Sequence, residues 1–149
     1  MTTKGDATAE QILTLERTAL NRWGAGDPDG FLETYAEDVT YFDPVTAARL
    51  DGHDAMTAYY RPWIGKIKVD RYEILNPSVV VADDIAVLAY NLVNFLRDAN
   101  GTERLLNRWN STTVYQRHGM NWKIVHSHWS FTQPTLVGGN VNADAGLMA

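Results

Sequence analysis

The chain contains no cysteine among its 149 residues. Disulfide bonds, thiolate chemistry and sulfur-based zinc sites are therefore excluded. No apolar run approaches the roughly 20 residues that a membrane-spanning helix needs, and the N-terminal segment has no apolar stretch typical of a signal peptide. We therefore expect a soluble, cytoplasmic protein that binds no membrane.

Positive charge is also scarce, since 13 Lys and Arg residues stand against 18 Asp and Glu residues, a net charge of −5. Nucleic-acid binding requires a basic patch that neutralises phosphates, so we expect no nucleic-acid partner. Aromatic residues are plentiful, with five Trp, seven Tyr and four Phe. This supply favours either a strong core or a cavity lined by aromatic side chains.

The predicted helices precede the predicted strands. A capping box at residues 8–11 begins the first helix, a second follows Asp27-Pro28, and a third covers residues 54–63. Strand-like patterns then continue from residue 67 to residue 131, interrupted by turns such as Asn76-Pro77. This order predicts an α+β fold in which one curved antiparallel sheet wraps the three N-terminal helices like a cone. We expect a single domain over residues 1–134 and a tail over residues 135–149 that is flexible or docks at an interface.

Asp43 is the residue that bears most on function. It ends the apolar run at residues 39–42, and Pro44 follows it directly. A carboxylate on the inner face of a strand loses water, which is costly unless the group is hydrogen-bonded or used in chemistry. Two roles therefore stay open for Asp43: a catalytic general base or acid in a pocket, and a structural acceptor at the end of a strand.

Alternation along the strands and helical spacing indicate which other side chains share a cavity with Asp43. The predicted ligand-binding residues are Tyr41, Met56, Tyr60, Trp63, Tyr90, Leu92, Asn94, Trp109, Ser111, Thr113, Ser127 and Trp129. They describe an aromatic, apolar pocket with one acid, suited to an uncharged or cationic ligand with a hydrophobic body. Trp129 or Tyr60 is expected to orient Asp43, and no cofactor is expected.

The same alternation places His126 and His128 on the convex outer face, together with Ile124. Two histidines are too few for a closed metal site, which needs three or four ligands, so we predict no metal. Large apolar patches are seldom left bare on monomers. We therefore expect a homodimer formed through the outer face, with a higher oligomer as the alternative.

Several motifs resemble the nuclear transport factor 2-like superfamily over about residues 8–133. Within it, the likeness is greatest to the association (hub) domain of calcium/calmodulin-dependent protein kinase, and we expect a stand-alone, bacterial-type relative. The superfamily also contains ketosteroid isomerases and SnoaL-like cyclases. The motifs are Phe42-Asp43-Pro44, Asp51-Gly52, Ile74-Leu75-Asn76-Pro77, Ala89-Tyr90, Thr112-Thr113-Val114-Tyr115 and the stretch from Trp122 to Ser130.

The resemblance implies which family features this chain keeps. In the isomerases the acid before the proline is the general base, which corresponds to Asp43. Their oxyanion hole corresponds to Ala19 and to Ser111 or Thr112, which lack the strong donors that steroid isomerisation requires. The positively charged pocket positions of the hub domain correspond to Met56, Leu92, Thr113 and Trp129, so an anionic ligand is not expected.

Two functions follow as alternatives. The first is a small-molecule-binding domain for a hydrophobic ligand, in which Asp43 would catalyse isomerisation, cyclisation or hydration if the protein is an enzyme. The second is a non-enzymatic oligomerisation module resembling the kinase hub.

Overall fold

A computed structural model of the chain describes residues 4–133, 136–137 and 140–141. Its helices are α1, α2 and α3, and a short 3-10 helix follows α3 at Arg61–Trp63. The helix bounds are Lys4–Gly24 for α1, Asp29–Leu32 for α2 and His53–Tyr60 for α3. The strands are β1 Tyr35–Phe42, β2 Leu50–Asp51, β3 Arg71–Ala82, β4 Ile85–Arg97, β5 Glu103–His118, β6 Asn121–Phe131, β7 Leu136–Val137 and β8 Asn140–Val141.

Six strands form one curved sheet in the order β2-β1-β6-β5-β4-β3. The predicted α+β cone is confirmed, but the sheet is mixed rather than antiparallel throughout. Strand β1 runs parallel to β6, with Tyr41 opposite Ser127. The reason lies in the connection. The chain leaves β1 through β2 and α3 and crosses to the far edge, and three hairpins then bring β6 back beside β1 in the same direction.

Helix α1 begins at Lys4, so the predicted capping box at Thr8 lies inside the helix and does not start it. Its apolar face packs into the core through Ile12, Ala19 and Leu20, all of which are buried. Helix α1 also contacts β3 and β4, and the core lies between the helices and the concave face of the sheet. This arrangement positions the helix side chains above the sheet residues that face inward.

Two bulges change the predicted strands. The predicted turn at Asn76-Pro77 is an irregularity within the single strand β3, and Asn76 takes a left-handed backbone conformation with φ of 51°. Asparagine tolerates this conformation better than most residues. A second irregularity between β5 and β6 leaves Val125 as the extra residue, since Tyr115 pairs with Ile124 and Val114 with His126.

The bulge at Val125 corrects one sequence prediction. Each extra residue in a strand shifts the alternation of the side chains by one position. Ile124 is therefore fully buried on the inner face, although the sequence pattern placed it on the outer face. His128 is exposed and His126 half-buried on the outer side, as predicted.

Most of the predicted tail at residues 135–149 lies outside the described residues. Within it, β7 and β8 pair as a short antiparallel hairpin. In the part of the chain that the structure describes, no helix is long and apolar enough to cross a membrane.

Candidate functional site

One carboxylate oxygen of Asp43 accepts hydrogen bonds from the backbone of the turn that follows β1. Asp43 Oδ1 accepts hydrogen bonds from the backbone N–H groups of Val45 at 2.8 Å and Thr46 at 3.1 Å. Aspartate at the first position and proline at the second are the residues that such a turn favours, because the carboxylate satisfies the N–H groups that follow. The Asp43-Pro44 pair therefore has a structural reason to occur at the end of β1.

The other oxygen of Asp43 accepts hydrogen bonds from two phenols. The hydroxyl of Tyr41 lies 2.9 Å from Oδ2, and that of Tyr59 lies 2.6 Å from the same atom. With the two backbone donors, these bonds use the four acceptor positions that a carboxylate offers. Neither of the predicted partners, Trp129 and Tyr60, is among the donors found. Tyr59, which precedes Tyr60 on α3, occupies this role instead.

The phenols beside Asp43 stay neutral. Burial raises the pKa of Tyr41 well above its ordinary value, and the nearby Asp43 carboxylate raises it further. Burial and the hydrogen bond to Asp43 likewise raise the pKa of Tyr59. Tyr60 is buried, its pKa is raised by that burial, and its hydroxyl lies 2.8 Å from that of Tyr35. The site is thus a carboxylate surrounded by uncharged hydroxyl groups.

A cavity of about 50 Å³ lies next to Asp43, on the concave side of the sheet. Seven of its lining residues are aromatic, and Asp43 is the single charged residue among the described residues that line it. The lining comprises Leu20, Trp23, Phe31, Tyr41, Asp43, Tyr60, Val69, Tyr72, Leu92, Asn94, Asn107, Trp109 and Trp129. Among the lining residues, the buried amides of Asn94 and Asn107 are joined by a hydrogen bond of 2.9 Å.

The structure brings together about half of the residues that the sequence pattern assigned to a pocket. Those that line this cavity are Tyr41, Asp43, Tyr60, Leu92, Asn94, Trp109 and Trp129. The others lie away from its lining: Met56, Tyr90, Ser111, Thr113 and Ser127 are buried in the interior, and Trp63 is half-buried in the 3-10 helix. A ligand-binding role for this second set, as for the first, stays a prediction.

Sequence reasoning missed six lining residues: Leu20, Trp23 and Phe31 on helices, Val69 in a loop, and Tyr72 and Asn107 on strands β3 and β5. Trp23 continues the apolar face of α1, so helical spacing gives a signal for it. Val69 gives no such signal, because it lies in a loop. Its backbone N–H donates to the carbonyl of Gly24 at 3.0 Å, and this contact holds the loop over the cavity.

Sequence reasoning also missed Glu16, a fully buried carboxyl on α1. Its two oxygens accept hydrogen bonds from the phenols of Tyr90 and Tyr115, each at 2.6 Å. The signal was present, since Glu16 lies one turn after Ile12 on the apolar face of the helix. Burial raises the pKa of Glu16, against the opposing effect of the two hydrogen bonds. Its contribution to stability is therefore greatest at acid pH and falls as the pH rises through the raised pKa.

The curved sheet over three helices, with a pocket on its concave side, is the fold of a solved nuclear transport factor 2-like protein. The family of the calcium/calmodulin dependent protein kinase II association domain matches residues 8–133, so the chain belongs to that family. The resemblance inferred from the sequence motifs is confirmed. No curated protein is similar enough to this chain to count as a match.

Solved structures share the fold. A proposed ketosteroid isomerase from Parabacteroides distasonis is 34% identical, with 90% of this chain and 96% of that chain covered and a TM-score of 0.75. The association domain of C. elegans CaMKII is 22% identical, with coverage of 85% and 97% and a TM-score of 0.71. An NTF2-like protein of unknown function from Pseudomonas putida is 22% identical, with coverage of 95% and 94% and a TM-score of 0.72. The last two likenesses establish the fold alone.

Proposed function

We propose that this protein is a small-molecule-binding domain whose ligand occupies the cavity beside Asp43. The observation that carries the proposal is a carboxylate, 8% exposed, at the edge of a cavity with mainly aromatic walls. Ligand pockets typically combine apolar walls with a few polar groups that fix the orientation of the ligand. Asp43, Asn94 and Asn107 supply those polar groups here.

The hydrogen bonds of Asp43 favour binding over catalysis. A general base needs a free acceptor position within reach of the proton that it removes. The acceptor positions of Asp43 are used by two backbone N–H groups and by Tyr41 and Tyr59. An isomerase, cyclase or hydratase mechanism therefore requires one phenol to move away first, whereas binding requires no such movement.

The experiment that tests binding uses a substitution at the cavity edge. Val69→Trp places a large side chain where half-buried Val69 lines the cavity, so ligand and indole compete for the same space. Native mass spectrometry should detect one small molecule per chain, retained from purification or taken from a panel of small amines, alcohols, ketones and acids. We expect Val69→Trp to weaken that binding at least about tenfold, the equivalent of ~1.4 kcal/mol.

The matched control is Met120→Trp, because Met120 is 91% exposed on a hairpin away from this cavity. It adds a similar volume and should leave the binding unchanged. Equal binding by the wild type and Val69→Trp, or no binding of any panel member to the wild type, would contradict the proposal.

A second candidate function, association with further copies of this chain, is favoured by the outer face of the sheet. On this face, residues that lie side by side on neighbouring strands form three adjacent rows. None of these residues carries a formal charge when histidine is neutral. The rows follow from the pairing of β1 and β3 to β6: Leu75, Asn91, Asn110 and Ser130; Ser78, Ala89, Thr112, His128 and Phe42; and Val80, Val87, Val114, His126 and Thr40. We call these rows the outer face.

Several apolar residues of the outer face are exposed, including Phe42 at 36%, Leu75 at 38% and Val80 at 63%. Protein interfaces are depleted in charged residues at their centres, and large exposed apolar patches mark interaction sites. Solved neighbours of this fold include an association domain. These observations support a homodimer through the outer face, and such a dimer leaves the cavity on the opposite face of the sheet open to a ligand.

A further inference from the structure

The electrostatic character of the cavity bears on the charge of its ligand, and the inference that follows rests on the proposed function. Among the described residues that line the cavity, Asp43 is acidic and none is basic. The chain as a whole carries a net charge of −5. A carboxylate in apolar surroundings with no basic side chain among the described lining residues creates a negative potential that favours cations and disfavours anions.

The hydrogen bonds of Asp43 indicate which kind of cation can bind beside it. Both oxygens already accept two hydrogen bonds each, from the backbone of Val45 and Thr46 and from the hydroxyls of Tyr41 and Tyr59. A primary ammonium would bring N–H donors that find no free acceptor on this carboxylate, and unpaired buried donors are costly. A fully methylated ammonium carries the charge without any N–H donor, so it avoids this cost.

The walls of the cavity suit the same group. Trp109 and Trp129 lie with ring centroids 6.0 Å apart at 86°, and Tyr41 and Tyr60 lie 6.2 Å apart at 85°. In each pair the edge of one ring packs against the face of the other, so the two rings form walls of different orientation around the cavity. Electron-rich faces of Trp and Tyr attract cations, and aromatic enclosures of this kind recognise quaternary ammonium groups.

The size of the cavity indicates how much of the ligand it encloses. Its volume is about 50 Å³. A single enclosed water needs roughly 10–15 Å³ on the same measure, so the cavity accepts a group of several heavy atoms but not a large molecule. The remainder of a larger ligand would extend toward the open end of the cone.

The geometry points to a ligand with a fully methylated ammonium head group, bound among Trp109, Trp129 and the tyrosines with its charge facing Asp43. The carboxylate supplies the charge complementarity, and its bound phenols remove the competition from N–H donors. The aromatic walls supply the contact surface.

Three probes of nearly the same shape separate charge from fit. They are choline, its neutral isostere in which a carbon atom replaces the nitrogen, and the tert-butylacetate anion. Dissociation constants for the wild type follow from titrations monitored by the tryptophan indole signals in NMR. We expect choline to bind at least about tenfold more tightly than the neutral isostere, and the anion to bind more weakly than both.

Asp43→Asn tests the contribution of the carboxylate with little change in shape. The asparagine carbonyl can keep the bonds from Val45 and Thr46, and its amide can donate to the oxygens of Tyr41 and Tyr59. We expect choline to lose at least about tenfold in affinity in this variant, while the neutral isostere keeps its affinity. Thermal unfolding of the variant checks that its fold is intact.

The outcomes of these experiments distinguish the ammonium inference from the proposed ligand site in the cavity. Equal affinities of choline and the neutral isostere, unaffected by Asp43→Asn, overturn the ammonium inference but leave the cavity as a ligand site. Failure of choline to bind also overturns the inference. The panel experiment with Val69→Trp judges the proposed function separately, because that panel includes uncharged compounds.

Discussion

Glu16→Leu should lower the free energy of unfolding by roughly 2–6 kcal/mol, because it removes the acceptor of two buried phenols. Tyr90 and Tyr115 both donate to this carboxyl in the interior, and the substitution removes both bonds while keeping a side chain of similar size. A buried donor without a partner costs about 1–3 kcal/mol. Urea unfolding followed by tryptophan fluorescence measures the change.

The control for Glu16→Leu removes the donors as well. In the triple variant Glu16→Leu, Tyr90→Phe, Tyr115→Phe no polar group is left without a partner, so most of the lost stability should return. The account would be wrong if Glu16→Leu alone were as stable as the wild type. It would be equally wrong if the triple variant were less stable than Glu16→Leu, since the phenols would then have other partners.

Thr112→Arg should dissociate the proposed homodimer with an affinity loss of at least about 100-fold. Thr112 is exposed at the centre of the outer face, between Ala89 and His128 in its cross-strand row. In a twofold-symmetric interface each substitution occurs on both copies, and buried, unpaired like charges cost several kcal/mol. Analytical ultracentrifugation should therefore report a dimer for the wild type and the 16.7 kDa monomer for the variant.

Met120→Arg is the matched control for the association prediction, since Met120 is exposed on a hairpin outside the outer face. It adds the same charge and should leave the dimer intact. A wild type that sediments as a monomer at micromolar concentration would remove the association proposal. An unaffected dimer in Thr112→Arg would show that another surface joins the copies.

The position of Asp43 was predictable because local chemistry determines it. An apolar strand ended by an Asp-Pro turn places the carboxylate on the same face as Tyr41, and no long-range contact changes this. The burial of Ile124 was not predictable in the same way. It depends on a bulge at Val125, and bulges arise from strand pairing across the sheet that the sequence of one strand does not reveal.

The cavity lining was likewise predictable from the sequence only in part. Strand alternation identified Leu92, Asn94, Trp109 and Trp129, because neighbouring strands keep a fixed register. Strand alternation also selected Thr113, which is buried in the interior and does not line the cavity. Alternation shows on which face of the sheet a side chain lies, but not whether its position along a curved strand is next to the cavity. Which helix side chain approaches the cavity depends on the packing of α1 against the sheet, and that packing is a property of the assembled fold.

The most direct test of the cavity proposal uses the five tryptophans as internal reporters. Trp23, Trp109 and Trp129 line the cavity, whereas Trp63 and Trp122 do not. In NMR spectra of the indole N–H groups, titration with a panel compound that binds should shift the signals of the first three and leave those of the other two unchanged. Shifts confined to Trp63 or Trp122, or no shift at any tryptophan with saturating compound, would contradict a ligand site beside Asp43.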